Sequence, residues 1–211
     1  MKKWLWIILI ILLFTFILLG YLYFIGKRQY QSKISPDQTL ESGTLELKNK
    51  DSILEQSQKA YEIVGKYSKD PQLYYVIIDK MYGSFNFDQP DNSFAFYDSE
   101  ENFDMLFSVI PETGEYKLTK TTIKIISNNE QINLEGIKDF PEALSIVQKY
   151  FQNYDIKNPD SENNYIATLA KRSNQNFLWR FVYGGQNTSP VQIDIDPKNL
   201  TILEVYPEEY K

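Results

Sequence analysis

A repetition constrains this chain more than any other feature. The stretch VIPETGEYKL, Val109 to Leu118, returns as DIDPKNLTIL, Asp194 to Leu203, with Pro197 standing 86 positions after Pro111. Proline at the second turn position presets φ, and Gly114 can take the left-handed conformation that rejoins a ladder. In the second stretch Asn199, which tolerates positive φ, is expected to do that work, and Leu200 occupies the place of the glycine.

A common order of elements precedes each turn. DSILEQSQKAYEIVGKY, from Asp51 to Tyr67, opens with Ser52 and Glu55 at capping-box spacing and places Ile53, Ala60, Val64 and Tyr67 near one helical face. Three extended runs follow, Tyr74 to Gly83, Ser93 to Asp98 and Phe103 to Ile126, the last divided by the Pro111 to Gly114 turn. β-branched and aromatic residues dominate them. DFPEALSIVQKYFQNY then has Asp139 three before Glu142, Pro141 in the first turn, and Phe140, Leu144, Val147, Phe151 and Tyr154 at helical spacing. Strands are predicted at Tyr165 to Arg172, Asn176 to Gly185, Val191 to Asp196 and Thr201 to Pro207. Phe177, Trp179, Phe181 and Tyr183 alternate to one side, and Val191, Ile193 and Ile195 oppose Gln192, Asp194 and Asp196, so each strand has one apolar face.

The predicted fold class is therefore α+β: an N-terminal transmembrane helix, then two tandem units of one helix covering an antiparallel sheet. The expected boundaries are a membrane anchor with flanking charges at 1–28, a stalk at 29–50, a first helix-on-sheet unit at 51–126 and a second at 127–211. Within the stalk, TLELK is a further edge-strand candidate.

The anchor rests on Trp4 to Ile25, 22 residues without a charge. At about 1.5 Å per residue this run crosses a hydrocarbon core of roughly 30 Å. Trp4 and Trp6 mark one end and Tyr21 and Tyr23 the other, where amphipathic rings favour the headgroup layer. The run is longer than the apolar region of a cleavable signal peptide and has no small-residue cleavage site, which reads as an uncleaved span. Lys2 and Lys3 precede it and Lys27 and Arg28 follow it; with so short an N-terminal tail, the expected orientation leaves the C-terminal part outside the cytoplasm.

Beyond Arg28 the chain carries 28 acidic and 18 basic residues, a net charge of −10. That balance repels phosphate backbones, and no basic face offsets it, so nucleic acid is not an expected partner. The absence of Cys excludes disulfides and thiolate chemistry, and the absence of His excludes a Ser-His-Asp triad and His-ligated metals. No glycine-rich phosphate loop is present. The best metal candidate is the pair Asp194 and Asp196, with Asp98, Glu100 and Glu101 as a second acidic cluster. The alternation with Ile193 and Ile195 instead makes the first pair the solvent face of an ordinary strand, with fewer oxygen ligands than a calcium site uses. No catalytic residue, metal or cofactor is assigned. Trp179, flanked by Phe177 and Phe181, reads as core. Tyr74, Tyr75, Tyr82 and Tyr97 are harder to bury together, and the loop FNFDQPDNS carries Phe85 and Phe87. Tyr82, Phe85, Phe87 and Tyr97 are the expected partner-binding residues, since such rings give contact area at low entropic cost.

The segments FSVIPETGEYKL and QIDIDPKNLTILEV, each closing a helix-and-meander order, resemble the PepSY-like domain. A single N-terminal span followed by two such units over Asp51 to Pro207 is similar to the TseB-like regulators of cell-wall elongation. The resemblance implies a membrane-tethered, non-enzymatic module outside the cell that binds another envelope protein, in that family a penicillin-binding transpeptidase. The residues alone also admit a protease-inhibitor or chaperone-like module, or a glycan- or cation-binding sensor domain.

Overall fold

The computed structural model describes residues 38–80, 91–100, 103–121, 131–153, 165–171, 177–185 and 188–207. They belong to one compact unit from Asp37 to Lys211. In chain order the elements are β1 (Gln38–Thr44), α1 (Ile53–Val64), β2 (Pro71–Asp79), β3 (Asn92–Asp98), β4 (Phe103–Val109), β5 (Glu115–Thr121), α2 (Phe140–Asn153), β6 (Tyr165–Lys171), β7 (Phe177–Gly185), β8 (Thr188–Ile195) and β9 (Ile202–Tyr206).

The nine strands form one antiparallel sheet in the order β1-β5-β4-β3-β2-β6-β7-β8-β9. This overturns the expected α+β fold of two tandem helix-plus-sheet units. The strand that would have been the edge of each sheet, β2 in one and β6 in the other, instead pairs with its counterpart through Val76–Leu169, Ile77–Thr168, Ile78–Ala167 and Asp79–Ile166. The physical reason is visible in the side chains. Val76, Ile78, Ala167 and Leu169 are all buried, so joining the two meanders removes a continuous apolar strip from water and two unpaired ladders at once. The transmembrane helix expected at 4–25 lies outside the described residues, and no helix among the described residues is long and apolar enough to cross a membrane.

The registers give the relation between the halves. Phe94 stands opposite Phe107 and Val76, and Phe181 stands opposite Ile193 and Ala167 in the same way. Carrying Val76 onto Ala167 carries Ile78 onto Leu169 and Ile77 onto Thr168, so the central pair Ile77–Thr168 sits on a local pseudo-two-fold axis of the sheet.

Both helices cover the same face, and their buried residues share one core. Tyr61 of α1 meets Phe96 edge-on with ring centroids 5.0 Å apart. Phe140 of α2 lies 5.8 Å from both Trp179 and Phe181, and Phe151 meets Tyr183 edge-on at 4.8 Å. Trp179 is 1% exposed, in the core as its alternation indicates, and its indole Nε1 donates to Lys138 O at 3.4 Å. The first helix ends at Val64, so Tyr67 falls beyond it and is 39% exposed, contrary to its expected place on the apolar helical face. The edge strand of the former stalk is Gln38–Thr44, ahead of the expected TLELK.

Each predicted hairpin turn is present, and the two make the same backbone bonds. Gly114 N donates to Ile110 O and Ile110 N to Glu115 O, both at 2.8 Å; Leu200 N donates to Asp196 O and Asp196 N to Thr201 O, both at 2.9 Å. The left-handed residue is Gly114, φ 74°, in one and Leu200, φ 61°, in the other. Asn199 therefore does not take the positive φ expected of it. Its side chain is used instead as an acceptor for Thr201 N at 3.0 Å and Thr201 Oγ1 at 2.6 Å and as a donor to Asp196 Oδ2 at 3.1 Å.

Candidate functional site

Most of the polar side chains that drew notice in the sequence are tied into the architecture. Ser52 caps α1, its Oγ accepting from Glu55 N at 3.0 Å. The Glu55 carboxylate turns back to Lys48 N at 2.8 Å and Asn49 N at 2.9 Å, and these backbone donors hold it below the usual carboxylate range. Asp139, placed to cap α2, serves both helices. Its Oδ1 accepts from Phe140 N at 2.8 Å and from Ile53 N at 2.9 Å, and its Oδ2 accepts from Ser52 Oγ at 2.6 Å. One carboxylate thus meets the positive ends of two helix dipoles.

Asp194 departs from its expected place on a solvent face. It is 0% exposed and forms a bidentate pair with Arg180 directly across the ladder, Nε–Oδ1 and Nη2–Oδ2 both 2.8 Å. The fork geometry suits a guanidinium on a carboxylate, and the bond to Asp194 raises the Arg180 pKa further. Asp196 folds onto its own turn, Oδ1 accepting from Lys198 N at 2.8 Å. Asp98 accepts from Glu100 N at 2.9 Å in a local turn, and Glu101 lies outside the described residues. Among the described residues no group of three or more His, Cys, Asp and Glu side chains is placed to hold a metal.

The phenols are likewise set for structure. Burial, then the bond to Glu41, pushes the Tyr116 pKa up to about 12, and burial raises those of Tyr165 and Tyr183. These rings stay neutral at physiological pH and serve as packing surface. Tyr116 Oη donates to Glu41 Oε1 at 2.6 Å, the main cause of the lowered Glu41 pKa, and Lys66 Nζ reaches the same carboxylate at 2.9 Å. This cluster fastens β1 to β5 and to the chain beyond α1.

Of the expected partner-binding residues, Tyr82, Phe85 and Phe87 lie outside the described residues. Tyr97 is half-buried on β3, edge-on to Tyr74 at 6.1 Å, and Tyr74 Oη donates to Gln72 Oε1 at 2.5 Å. The structure therefore joins Tyr97 to Tyr74, a neighbour on the adjacent strand.

Two surfaces stand open among the described residues. One is a cleft of about 750 Å3 between Thr44–Lys48 and the side of α1 bearing Glu55, Lys59 and Glu62, with Leu45 and Ile63 also lining it. Lys59 and Glu62 are paired along its α1 wall at 3.2 Å. The other is the edge of β9, where Leu203 is 55% and Tyr206 59% exposed. The sequence reading missed this edge because TILEVYP is apolar on both faces and looks like any buried strand. The signal present was position: the last strand of a meander has only one neighbour guaranteed.

No protein-family model, no curated protein and no solved structure matches this chain.

Proposed function

We propose that this chain is a non-catalytic protein-binding module of the cell envelope, held at the membrane through residues 4–25 with the Asp37–Lys211 unit outside the cytoplasm, that regulates or scaffolds an envelope enzyme such as a penicillin-binding transpeptidase. The observation that carries the reading is the β9 edge, a terminal strand with two large apolar side chains in water. Exposed apolar groups on a strand at the end of the sheet, with no outer neighbour among the described residues, favour association with another chain. The carboxylates of Glu41, Glu55, Asp139, Asp194 and Asp196 support it from the other side, because they are spent on caps, turns and one buried ion pair. The uncharged run at 4–25 and the resemblance to TseB-like regulators supply the membrane and the class of partner.

Cross-linking the full-length protein in its native membranes, with a control retaining only Met1 to Ile34, tests the reading. Recovery of one envelope enzyme by the full chain and not by the control is expected. Recovery of the same proteins by both, or of none, overturns it.

A further inference from the structure

The pseudo-two-fold relation sets the two ends of the sheet side by side for comparison. In the first half the outer ladder of β5 is covered by β1, an antiparallel strand running from Gln38–Lys120 to Thr44–Glu115. The strand equivalent to β5 in the second half is β9: Val205 stands opposite Ile193 as Leu118 stands opposite Phe107. Among the described residues nothing pairs with the outer side of β9. Of the sequence that precedes α2, the described residues from Gln131 onward lie away from β9's outer side: Ile132 N donates to Leu73 O at 2.6 Å and Lys138 N to Pro197 O at 2.7 Å.

The consequence is local and chemical. The three large hydrophobics exposed among the described residues are Tyr67, Leu203 and Tyr206, and two of them stand on this five-residue strand. An edge strand is normally blunted by charge, a bulge or a cover; β9 carries Glu204 and a register shift against β8, yet it leaves Leu203 and Tyr206 exposed and has no neighbour on its outer side among the described residues.

We propose that β9 is the docking edge for an extended segment of a partner protein, added antiparallel as a tenth strand in the place that β1 fills at the other end, with apolar residues alternating with Lys or Arg. This rests on the protein-binding reading and specifies its surface. The antiparallel direction follows from β1 on β5, and the apolar content follows from Leu203 and Tyr206, the exposed side chains it would cover. The basic character follows from charge: beyond Arg28 this chain carries a net −10. The same charge disfavours a second copy as the occupant. Centred pairing of β9 with itself would also set Glu204 against Glu204, and like charges directly opposite destabilise a ladder. Main-chain bonds would supply affinity and the alternating side chains register.

The test uses the full-length protein in detergent micelles and labelled synthetic peptides of about eight residues, a length that covers an average strand. One alternates Val and Lys, a second alternates Val and Glu, and a third is the Val-Lys peptide N-methylated on alternate residues, which keeps its charge and loses one ladder of donors. Saturable binding of the Val-Lys peptide is expected, with slowed amide exchange confined to Ile202–Tyr206. The N-methylated and Val-Glu peptides should bind at least about tenfold more weakly, a gap of about 1.4 kcal/mol. The double substitution Leu203→Lys and Tyr206→Lys should cause a similar loss while the free protein stays folded with a cooperative melt, since both side chains are more than half exposed.

Equal binding of the N-methylated peptide, protection in the α1 cleft instead of at β9, absence of saturable binding, or a dimer that protects β9 without peptide would each overturn the proposal. Failure here is separable from failure of the protein-binding reading. An envelope protein recovered equally by the wild-type chain and the double variant would leave that reading in place and remove β9 as its surface.

Discussion

The two halves of the sheet share a strand order and the backbone bonds of their turns but carry different side chains, and the difference separates what the fold requires from what each half adds. Where the first half has Ser93 and Ser108 hydrogen-bonded across β3 and β4 at 2.9 Å, the second half has Arg180 and Asp194 in a bidentate pair. Where the first turn has Gly114 in the left-handed region, the second has Leu200. Where β5 is covered by β1, β9 has no outer neighbour among the described residues. The strand order and the apolar face are common to both; the polar pairs, turn residues, bulges and edges are not. Backbone pairing and burial hold the sheet, and the second half has exchanged the cover on its edge for accessible surface.

The comparison can be broken most directly at the polar pairs. Arg180→Ala leaves a fully buried carboxylate without its guanidinium and should cost about 3 to 5 kcal/mol in urea unfolding. Ser93→Ala at the corresponding site should cost about 1 kcal/mol. Equal costs would show that the second pair is not desolvated as described.

The turns give the next contrast. A Cβ on Gly114 would lie 2.3 Å from Leu45 O, in a left-handed backbone, so Gly114→Ala should cost about 2 to 4 kcal/mol. Leu200→Gly relieves left-handed strain of about 1 to 2 kcal/mol while giving up part of the packing of a side chain against the core, and should change stability by no more than about 1 kcal/mol. Thermal unfolding of both variants checks the asymmetry.

The helix caps sharpen it further. Asp139→Ala strips acceptors from the starts of both helices and should cost about 2 kcal/mol, against about 1 kcal/mol for Ser52→Ala. If the two substitutions cost the same, Asp139 serves α2 alone.

The smallest contrast is in pH. The Tyr116 pKa is raised from 10.0 to about 12, so the stabilisation it reflects is fully present below pH 10 and is lost as pH rises toward 12. The Glu41 pKa is lowered from 4.5, so its contribution is present above 4.5 and is lost as pH falls through the lowered value. Tyr116→Phe should flatten the alkaline loss and Glu41→Gln the acid loss, both read from urea midpoints across pH. Both effects belong to the β1–β5 seam.

Much of this was legible in the residues. Alternation at Phe177, Trp179, Phe181 and Tyr183 placed one face of β7 correctly, and Ser52 and Asp139 marked both helix starts, because period and capping are local properties. The joining of β2 to β6 was not legible, since YYVIID and YIATLA read equally well as edge or centre strands until their partners are known. Asp194 misled for a related reason. Alternation assigns a residue to a face but does not say whether that face is wet, and Arg180, fourteen residues earlier, is what allows the carboxylate to be buried. Leu200 misled because propensity favours Asn in the left-handed region, while the backbone bonds of the turn and contact with the core put Leu there. Of the expected binding residues only Tyr97 lies among those described, and its partner Tyr74 was in the same group of aromatics.

The central claim is that both meanders share one sheet through β2 and β6, with β9 left open at its end. Amide hydrogen exchange, resolved by residue on the full-length protein, tests it directly. The account predicts that Val76–Asp79 and Ile166–Leu169 exchange as slowly as the β3 and β4 amides, and that outward amides of Ile202–Tyr206 exchange fast. Alternating fast and slow amides along β2 and β6, the mark of two edge strands, would contradict it.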